Sequence, residues 1–338
     1  MPTSFSKKLL TWYKKHGRHD LPWQKNPTAY RVWISEIMLQ QTQVNTVIPY
    51  YFRFLKSFPT VKSLANATED FVLLHWSGLG YYARARNIHK TAKIIHEQYG
   101  GQFPSTVAEL SELPGIGQST AGAIVSFSRQ KKAVILDGNV KRVLARYFAI
   151  EKPINQLTTM TELWTLAHQL TPEKNAHHYN QAIMDLGATL CTRHNPDCRD
   201  CPFQSDCQAY KNKKTFFYPV KIEKKSRVIK TISLFVISNK QKEILLVKRP
   251  SEGIWGGLWS FPEKHSSDFI FRNQKLHFIA ALPSITHQLT HFTLIILPLR
   301  LSISKKISGK DLSWYTLGAE LPGGVATPIA KLLKSFVD

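Results

Sequence analysis

The spacing of apolar residues changes near residue 210, and this change divides the chain into two structural classes. Up to about residue 190, apolar side chains recur every three to four residues, the period of an α-helix. Beyond the basic segment 211–230, runs rich in Ile, Leu, Val and Phe are typical of strands. We therefore expect a multidomain protein, with an all-α domain followed by an α+β domain.

The predicted boundaries follow from the same pattern. We expect an α-helical domain over 1–210, an exposed basic linker over 211–229 and an α+β domain over 230–338. The predicted helices cover 80–99, 105–112, 118–129, 138–148, 159–171, 176–191 and 327–336. The predicted strands cover 231–238, 243–248 and 292–302.

The charge of the chain restricts its partners. With 45 basic and 23 acidic side chains, the 338 residues carry a formal net charge of +22. Such an excess favours a polyanionic partner, although a basic and unselective surface has the same composition. No segment is apolar over the length of a bilayer, and the first residues lack a signal core, so we expect a cytoplasmic protein with no membrane contact.

All four cysteines lie in one short loop, residues 191–207. Cys191, Cys198, Cys201 and Cys207 have the spacing C-x6-C-x2-C-x5-C. Four thiolates this close suit an iron–sulfur cluster or a tetrahedral zinc ion. Only one C-x-x-C pair is present, whereas zinc sites more often use two. We predict a metal-bound loop.

The segment Leu113–Gly117 reads Leu-Pro-Gly-Ile-Gly and precedes a predicted helix. We expect Gly115 and Gly117 to adopt backbone torsions that other residues avoid. The backbone N–H groups of such a hairpin can bind a phosphate without reading sequence. An ordinary turn with a capping glycine explains the same residues.

Two carboxylates stand in unusual contexts. Asp137 precedes a predicted helix, where its pKa would be kept low by helix N–H groups and its charge could stabilise a cationic transition state, with Asn139 assisting. A plain helix cap is the alternative. Glu36 lies in the apolar run 32–39, where burial would raise its pKa and let it hold a proton near neutral pH. A solvated stripe with Gln40 and Gln43 is the alternative.

The segment Gly80–Arg86 combines aromatic and guanidinium groups. Tyr81 and Tyr82 could wedge between bases while Arg84 neutralises phosphates. Ordinary helix packing, with the arginine on the solvent side, explains the same pattern.

Together these motifs resemble the MutY family of adenine glycosylases, in the helix-hairpin-helix DNA glycosylase superfamily. The resemblance covers essentially the whole chain. The matching segments are Leu21–Trp23, Ser35–Val44, Gly78–Arg84, Leu113–Gly117, Leu136–Val140, Asp185–Ala188 and the four cysteines.

The resemblance implies a monomeric enzyme that excises adenine mispaired with 8-oxoguanine or guanine in double-stranded DNA. It implies that Glu36 protonates adenine N7 and helps to activate water, and that Asp137 steadies the oxocarbenium-like sugar. It also implies one 4Fe-4S cluster on the four cysteines. Residues predicted to contact DNA are Gln41, Tyr81, Tyr82, Arg84, Gly115, Gly117, Ser119 and Lys141.

The main rival within the superfamily is an endonuclease III-like glycosylase with lyase activity. That family carries a nucleophilic lysine on its hairpin helix, and Ser119 occupies the matching position here. A hydroxyl cannot form a Schiff base, so we expect base removal without efficient strand cleavage. A non-catalytic DNA-binding protein with a cluster is the alternative from another class.

The C-terminal segments Leu245–Pro250 and Gly253–Pro262 resemble the Nudix-like domain of the same family. No R-E-x-x-E-E helix follows Pro262, so diphosphate hydrolysis is not expected. The resemblance implies that this domain senses 8-oxoguanine through a Phe-Ser-His motif. The matching residues are Leu289, Thr290 and His291.

Overall fold

The computed structural model of the protein describes residues 2–222, 227–264 and 268–336. Residues 223–226 of the predicted basic linker lie outside this range. The part before the linker is helical, apart from a single 3-10 turn at Pro22–Gln24. Its helices are α1 (Pro2–His16), α2 (Ala29–Leu39), α3 (Val44–Ser57), α4 (Val61–Ala65), α5 (Glu69–Trp76), α6 (Ala83–Gln98), α7 (Val107–Ser111), α8 (Gln118–Arg129), α9 (Gly138–Tyr147), α10 (Leu157–Leu170), α11 (Ala176–Thr189) and α12 (Gln208–Lys211).

The helical period predicted these elements well. The bounds of α8 are those expected, and α9, α10 and α11 differ from expectation by at most two residues at either end. The short helices α4 and α5 were not predicted. Each is too short to show a clear apolar period.

The chain divides into two compact units, and each unit is built from segments that are not contiguous in the sequence. The first unit holds the chain up to Tyr51, the piece Thr60–Lys62 and the chain from Lys90 to the linker. The second unit holds Phe52–Pro59, Ser63–His89 and the chain after the linker. The predicted limits at 210 and 230 therefore remain a prediction about sequence domains, because the segment around α5 groups with the C-terminal part.

The first unit has a core built mainly on α9, α10 and α11. Val140, Val143 and Leu144 recur at helical spacing on one face of α9 and are almost fully buried. Helix α1 covers this core, and the Phe5 ring stacks on Phe203 with centroids 4.2 Å apart. Each such side chain contributes about 1.5–3 kcal/mol through burial.

The second unit contains a mixed sheet. Strand β1 (Val228–Ser238) runs parallel to β8 (Phe292–Ser302) at its centre. The four residues 234–237 are all buried, as expected for a strand covered on both faces. The other strands are β2 (Ile244–Lys248), β3 (Trp259–Ser260), β4 (Ile270–Phe271), β5 (Gln274–Lys275), β6 (His277–Ala281), β7 (Ile285–Gln288) and β9 (Leu312–Tyr315).

The sheet order is β3-β2-β1-β8-β6, with β7 also paired to β8 and β9 to β2. Helix α13 (Thr327–Lys334) follows the sheet, as predicted. The described residues between Pro262 and Leu276 form short strands and turns, with no helix among them. Over the described ranges, no helix has both the length and the apolar character needed to cross a bilayer.

Candidate active site

A cavity of about 1270 Å³ lies within the first unit, between α2, α8, α9 and α11. Its walls carry both carboxylates singled out in the sequence, Glu36 and Asp137, together with Ser119 and Asn139. Residues more than 100 positions apart in the chain thus share one concave surface. This is the common form of a small-molecule or nucleotide pocket.

Glu36 reaches the cavity from α2. Thr28 caps this helix by accepting a hydrogen bond from the Arg31 N–H, and the flanking Trp33 and Met38 are fully buried. Burial, and to a smaller extent the nearby charge of Asp137, raise the pKa of Glu36 to about 8. Glu36 therefore carries a proton over much of the neutral pH range, as the sequence predicted.

Asp137 caps α9. Its Oδ1 accepts the backbone N–H of Asn139 at 3.0 Å and that of Val140 at 2.8 Å. Burial nevertheless raises the pKa of Asp137, while these N–H groups, the Asn139 amide and Arg142 oppose that rise. The expectation of a low pKa was wrong, because losing solvent costs the carboxylate more than its donors return.

Asn139 links Asp137 to the cysteine loop through Arg142. The Asn139 Nδ2 donates to Asp137 Oδ2 at 3.0 Å, and its Oδ1 accepts from Arg142 Nη2 at 2.8 Å. Arg142 Nε also donates to the Cys191 carbonyl at 2.7 Å, and its Nη2 to the Gly187 carbonyl. A Cβ on Gly187 would lie 2.7 Å from the Asn139 Cβ, so glycine permits this close approach.

The hairpin before α8 has the predicted form but uses its glycines differently. Gly115 has a φ of +79°, which favours glycine. Gly117 has a φ of −86°, which any residue adopts, so the predicted special torsion at Gly117 was wrong. A Cβ there would meet no atom within 4 Å. Thus Gly117 leaves open space at the N-terminus of α8, where it is the N-cap residue and has no side chain to cap the helix.

Ser119 lies on the cavity wall in the first turn of α8. Its Oγ accepts the Leu136 N–H at 3.0 Å, one residue before Asp137. Lys141 lies one turn into α9. Burial lowers the pKa of Lys141, and the charge of Asp137 partly offsets this. Lys141 is not among the residues that line the cavity.

Two residues predicted to contact DNA have left-handed backbones. Gln41, in the first unit, has a φ of +57° and is exposed. Tyr81, in the second unit, has a φ of +50° and is 45% exposed. Non-glycine residues in this region are uncommon, and such strain concentrates at functional sites.

Tyr82 and Arg84 differ from the prediction. Both side chains are buried. The Tyr82 hydroxyl donates to the Val325 carbonyl, and Arg84 Nη2 donates to the Leu79 and Gly80 carbonyls. We therefore assign these two side chains to the protein interior rather than to a DNA surface.

The four cysteines line one small pocket at the end of α11, together with Phe203 and Tyr210. Burial, together with the nearby thiols of the other three cysteines, raises the pKa of Cys201 to about 12. No three His, Cys, Asp or Glu side chains in the described ranges converge on a single metal ion. Four thiols that line one pocket form a donor set of the kind that holds an iron–sulfur cluster or a zinc ion.

Arg146 connects this loop to the segment 215–218, and no pattern in the sequence predicted that role. The side chain is 2% exposed. Its Nη1 donates to the Thr192 carbonyl at 2.6 Å and to Cys191 Sγ at 3.3 Å, and its Nε donates to the carbonyls of Thr215 and Tyr218, both at 3.0 Å.

Arg142 was also not predicted from the sequence, although its spacing from Asn139 could have indicated it. It lies three residues after Asn139 on the same helix face, where side chains meet. His177 and His178 at the start of α11 likewise line the cavity, with ring centroids 4.0 Å apart. Nothing in the sequence connected them with Glu36.

Leu289, Thr290 and His291 form the turn between β7 and β8 in the second unit. The Leu289 N–H donates to the Phe292 carbonyl at 3.0 Å and closes the turn. Thr290 and His291 are exposed, whereas Leu289 is half-buried.

Comparisons with known proteins agree with this architecture. Residues 34–169 match the family model described as HhH-GPD superfamily base excision DNA repair protein, and residues 233–335 match the NUDIX domain model. A thermostable thymine-DNA glycosylase of known structure has 27% identity and a TM-score of 0.58, covering 62% of this chain and 97% of that one. An endonuclease III bound to DNA, at 20% identity and a TM-score of 0.54, shows the same fold over 62% of this chain and 95% of its own.

Relatives extend the match over the whole chain. An adenine DNA glycosylase of Buchnera aphidicola subsp. Baizongia pistaciae is 43% identical over 337 residues, covering 97% of this chain and 95% of the relative. An adenine DNA glycosylase of Homo sapiens is 35% identical, covering 77% of this chain and 57% of the relative. The chain therefore belongs to the adenine DNA glycosylases, base excision repair enzymes of the HhH-GPD superfamily with a C-terminal Nudix-like domain.

Proposed function

We propose that this enzyme hydrolyses the N-glycosidic bond of adenine mispaired with 8-oxoguanine or guanine in double-stranded DNA, acting as a monomer. One observation carries the proposal. A protonated carboxyl group, Glu36, and a carboxyl group held by three N–H bonds, Asp137, line the same cavity. This is the pair of roles that two-carboxylate glycosidic chemistry requires.

Glu36 acts first as the general acid. The adenine leaves the base stack and enters the cavity, whose volume accommodates a nucleotide. Protonated Glu36 gives its proton to adenine N7, the bond between C1′ and N9 breaks, and the bonding electrons leave with a neutral adenine.

Asp137 then stabilises the cationic sugar. The charges of Asp137 and Glu36 disfavour each other, so the pair holds one proton most readily, and we assign it to Glu36. Two neighbours favour the ionised form of Asp137. Asn139 donates N–H hydrogen bonds to its carboxylate, and Arg142 supplies a positive charge nearby. The deprotonated Glu36 takes a proton from the water that adds to C1′, which restores the starting state.

Ser119 explains why the strand stays intact. Its Oγ accepts the Leu136 N–H and holds the segment that leads into Asp137. A hydroxyl group supplies no amine for a Schiff base at C1′. We therefore propose that the enzyme removes the base and leaves an intact strand with an abasic site, with Lys141 contacting DNA rather than the reacting sugar.

The DNA backbone is proposed to bind at the hairpin. Gly115 shapes the turn, and Gly117 leaves the N–H groups of the first turn of α8 accessible to a phosphate. Gln41 and Tyr81 are proposed to enter the duplex at the mispair, as their exposure and left-handed backbones support. The net charge of +22 supplies sequence-independent attraction.

The four cysteines are proposed to hold one 4Fe-4S cluster. When bound, such a cluster would supply a structural link within the loop 191–207, whose basic residues Arg193, His194 and Arg199 provide further phosphate contacts. The turn of Leu289, Thr290 and His291 is proposed as the contact to 8-oxoguanine, with a hydroxyl and an imidazole as its hydrogen-bonding groups.

The test uses duplexes in which one adenine lies opposite 8-oxoguanine, guanine, cytosine or thymine. We expect single-turnover excision at the first two mispairs, seen as strand breaks only after alkali. Glu36→Gln should abolish excision and retain DNA binding, whereas Glu97→Gln, at an exposed position of α6, should behave as the wild type. Absence of alkali-labile sites would contradict the proposal, and breaks without alkali would indicate a lyase.

A further inference from the structure

The turn that carries Tyr81 is strained. It connects α5 to α6 and contains three left-handed residues, Gly78 with a φ of +98°, Gly80 with +71° and Tyr81 with +50°. A left-handed conformation is unfavourable for a non-glycine residue, and it persists only where the surrounding structure enforces it. The contacts around Tyr81 therefore help to determine the position and orientation of its ring.

Some of these contacts come from α5 and α6. The Gly80 carbonyl accepts Trp76 Nε1 at 3.1 Å and Arg84 Nη2 at 3.2 Å. The Arg84 guanidinium lies 5.4 Å from the centroid of the Tyr81 ring and 5.3 Å from that of Trp76. The two hydrogen bonds restrain the Gly80 carbonyl, which belongs to the peptide group that precedes Tyr81.

Further contacts come from Val325, beyond the sheet of the same unit. The buried Tyr82 hydroxyl donates to the Val325 carbonyl at 3.0 Å and accepts the Gly78 N–H at 3.3 Å. The Val325 N–H donates to Ser77 Oγ at 3.1 Å. Both backbone groups of Val325 thus hold the two ends of the turn, 77–78 and 82.

The sequence before Val325 permits this close approach. A Cβ on Gly324 would lie 2.5 Å from the Leu73 carbonyl oxygen, and one on Gly323 would lie 2.8 Å from Asp70 Oδ1. Asp70 in turn accepts from Lys248 Nζ at 2.7 Å and from Trp259 Nε1 at 3.1 Å. The side chains of two strands, β2 and β3, therefore hold α5 against the Gly-Gly-Val segment.

We propose that Tyr82 is a positioning residue: through its bond to Val325, the Nudix-like part of the chain sets the conformation of Tyr81 for entry into DNA. The inference rests on the proposed role of Tyr81. This contact would connect recognition of the lesion with distortion of the duplex. The sheet that bears the turn of residues 289–291 also contacts α5, the helix that leads into the Tyr81 turn.

A double-mutant cycle tests the proposal. Tyr82→Phe removes one hydroxyl and keeps the packing, so it should lower single-turnover excision opposite 8-oxoguanine by about three- to tenfold, the loss expected for one hydrogen bond. In a Tyr81→Ala background the same change should have no further effect, because the group being positioned is gone. Fluorescence of 2-aminopurine beside the mispair should fall in parallel, since it reports base unstacking.

Matched variants separate the explanations. Tyr99→Phe, at an exposed position, controls for loss of a hydroxyl and should match the wild type. Ser77→Ala removes the acceptor of the Val325 N–H and should reproduce the Tyr82→Phe pattern. Equal losses from Tyr82→Phe in both backgrounds, or no loss at all, would overturn the proposal. If Tyr81→Ala alone retains full excision and unstacking, the proposed role of Tyr81 itself fails.

Discussion

Asn139 donates two hydrogen bonds to Asp137, one to each carboxylate oxygen, both at 3.0 Å. The backbone N–H fixes the position of one oxygen, and the side-chain amide fixes the other. The Asp137 carboxylate is therefore restrained in rotation as well as in position. Such restraint suits a group that must oppose charge developing at a fixed carbon atom.

Gly187→Ala should disturb this pair without replacing either of its two residues. The added Cβ would lie 2.7 Å from the Asn139 Cβ, so Asn139 or α11 must shift. We expect excision to fall at least tenfold and the melting temperature to drop, as for other overpacked contacts that cost about 1–3 kcal/mol. Gly138→Ala is the control, since its Cβ meets no atom within 4 Å; equal melting temperatures for the two variants would contradict this account.

The excision rate should follow a bell-shaped pH profile. Glu36 must be protonated to act as an acid, and its pKa is about 8, so the single-turnover rate should fall roughly tenfold per unit above pH 8. Asp137 must be ionised, and burial raises its pKa, so the rate should also fall on the acidic side. A rate that stays constant from pH 7 to pH 10 would exclude Glu36 as the proton donor.

Glu36→Gln should stabilise the folded protein in a pH-dependent way. The pKa of Glu36 is about 8 when the protein is folded and near the ordinary glutamate value of 4.5 when it is unfolded. Between these values the native state binds a proton that the unfolded chain releases, so wild-type stability decreases as pH rises through this window. The variant loses that dependence, and thermal unfolding should show a gain that grows from pH 5 to pH 8. A gain independent of pH would contradict the assignment.

Gly115 and Gly117 should respond differently to alanine. Gly115 has a φ of +79°, so Gly115→Ala should lower stability by about 1 kcal/mol. Gly117→Ala should leave the melting temperature unchanged, because its torsions suit any residue and its Cβ is unobstructed. It should still weaken binding to an unmodified duplex, since the Cβ occupies the space over the α8 N-terminus. Unchanged binding by Gly117→Ala would argue against a phosphate there.

Arg146→Met should release the cysteine loop. The buried guanidinium donates to the carbonyls of Thr192, Thr215 and Tyr218 and to the Cys191 sulfur, and the substitution removes all of these hydrogen bonds. We expect a lower iron and sulfide content per chain and weaker visible absorption in the purified protein. Arg199→Met changes an exposed arginine in the same loop and should retain the full iron and sulfide content. If both variants lost equal amounts of iron and sulfide, the loss would be due to the missing positive charge rather than to the buried hydrogen bonds of Arg146.

Helices α8 to α11, the central strands and the main chemical groups followed from the sequence, because each has a local cause. Apolar residues at helical spacing defined α8 to α11, and an acid in the apolar run of α2 marked Glu36. The four clustered cysteines indicated a metal-bound loop in the same way. These signals depend only on neighbours in the chain, so no knowledge of packing was needed.

The tertiary structure decided what each group does with its surroundings. Burial overrode the helix cap at Asp137 and raised its pKa, and packing turned Tyr82 and Arg84 inward to support the Tyr81 turn. Arg142 and Arg146 found partners 45 or more residues away. The tertiary structure likewise decided that residues 63–89 group with the Nudix-like part of the chain. Desolvation and long-range hydrogen bonds depend on which segments meet in space, and a one-dimensional pattern does not contain that information.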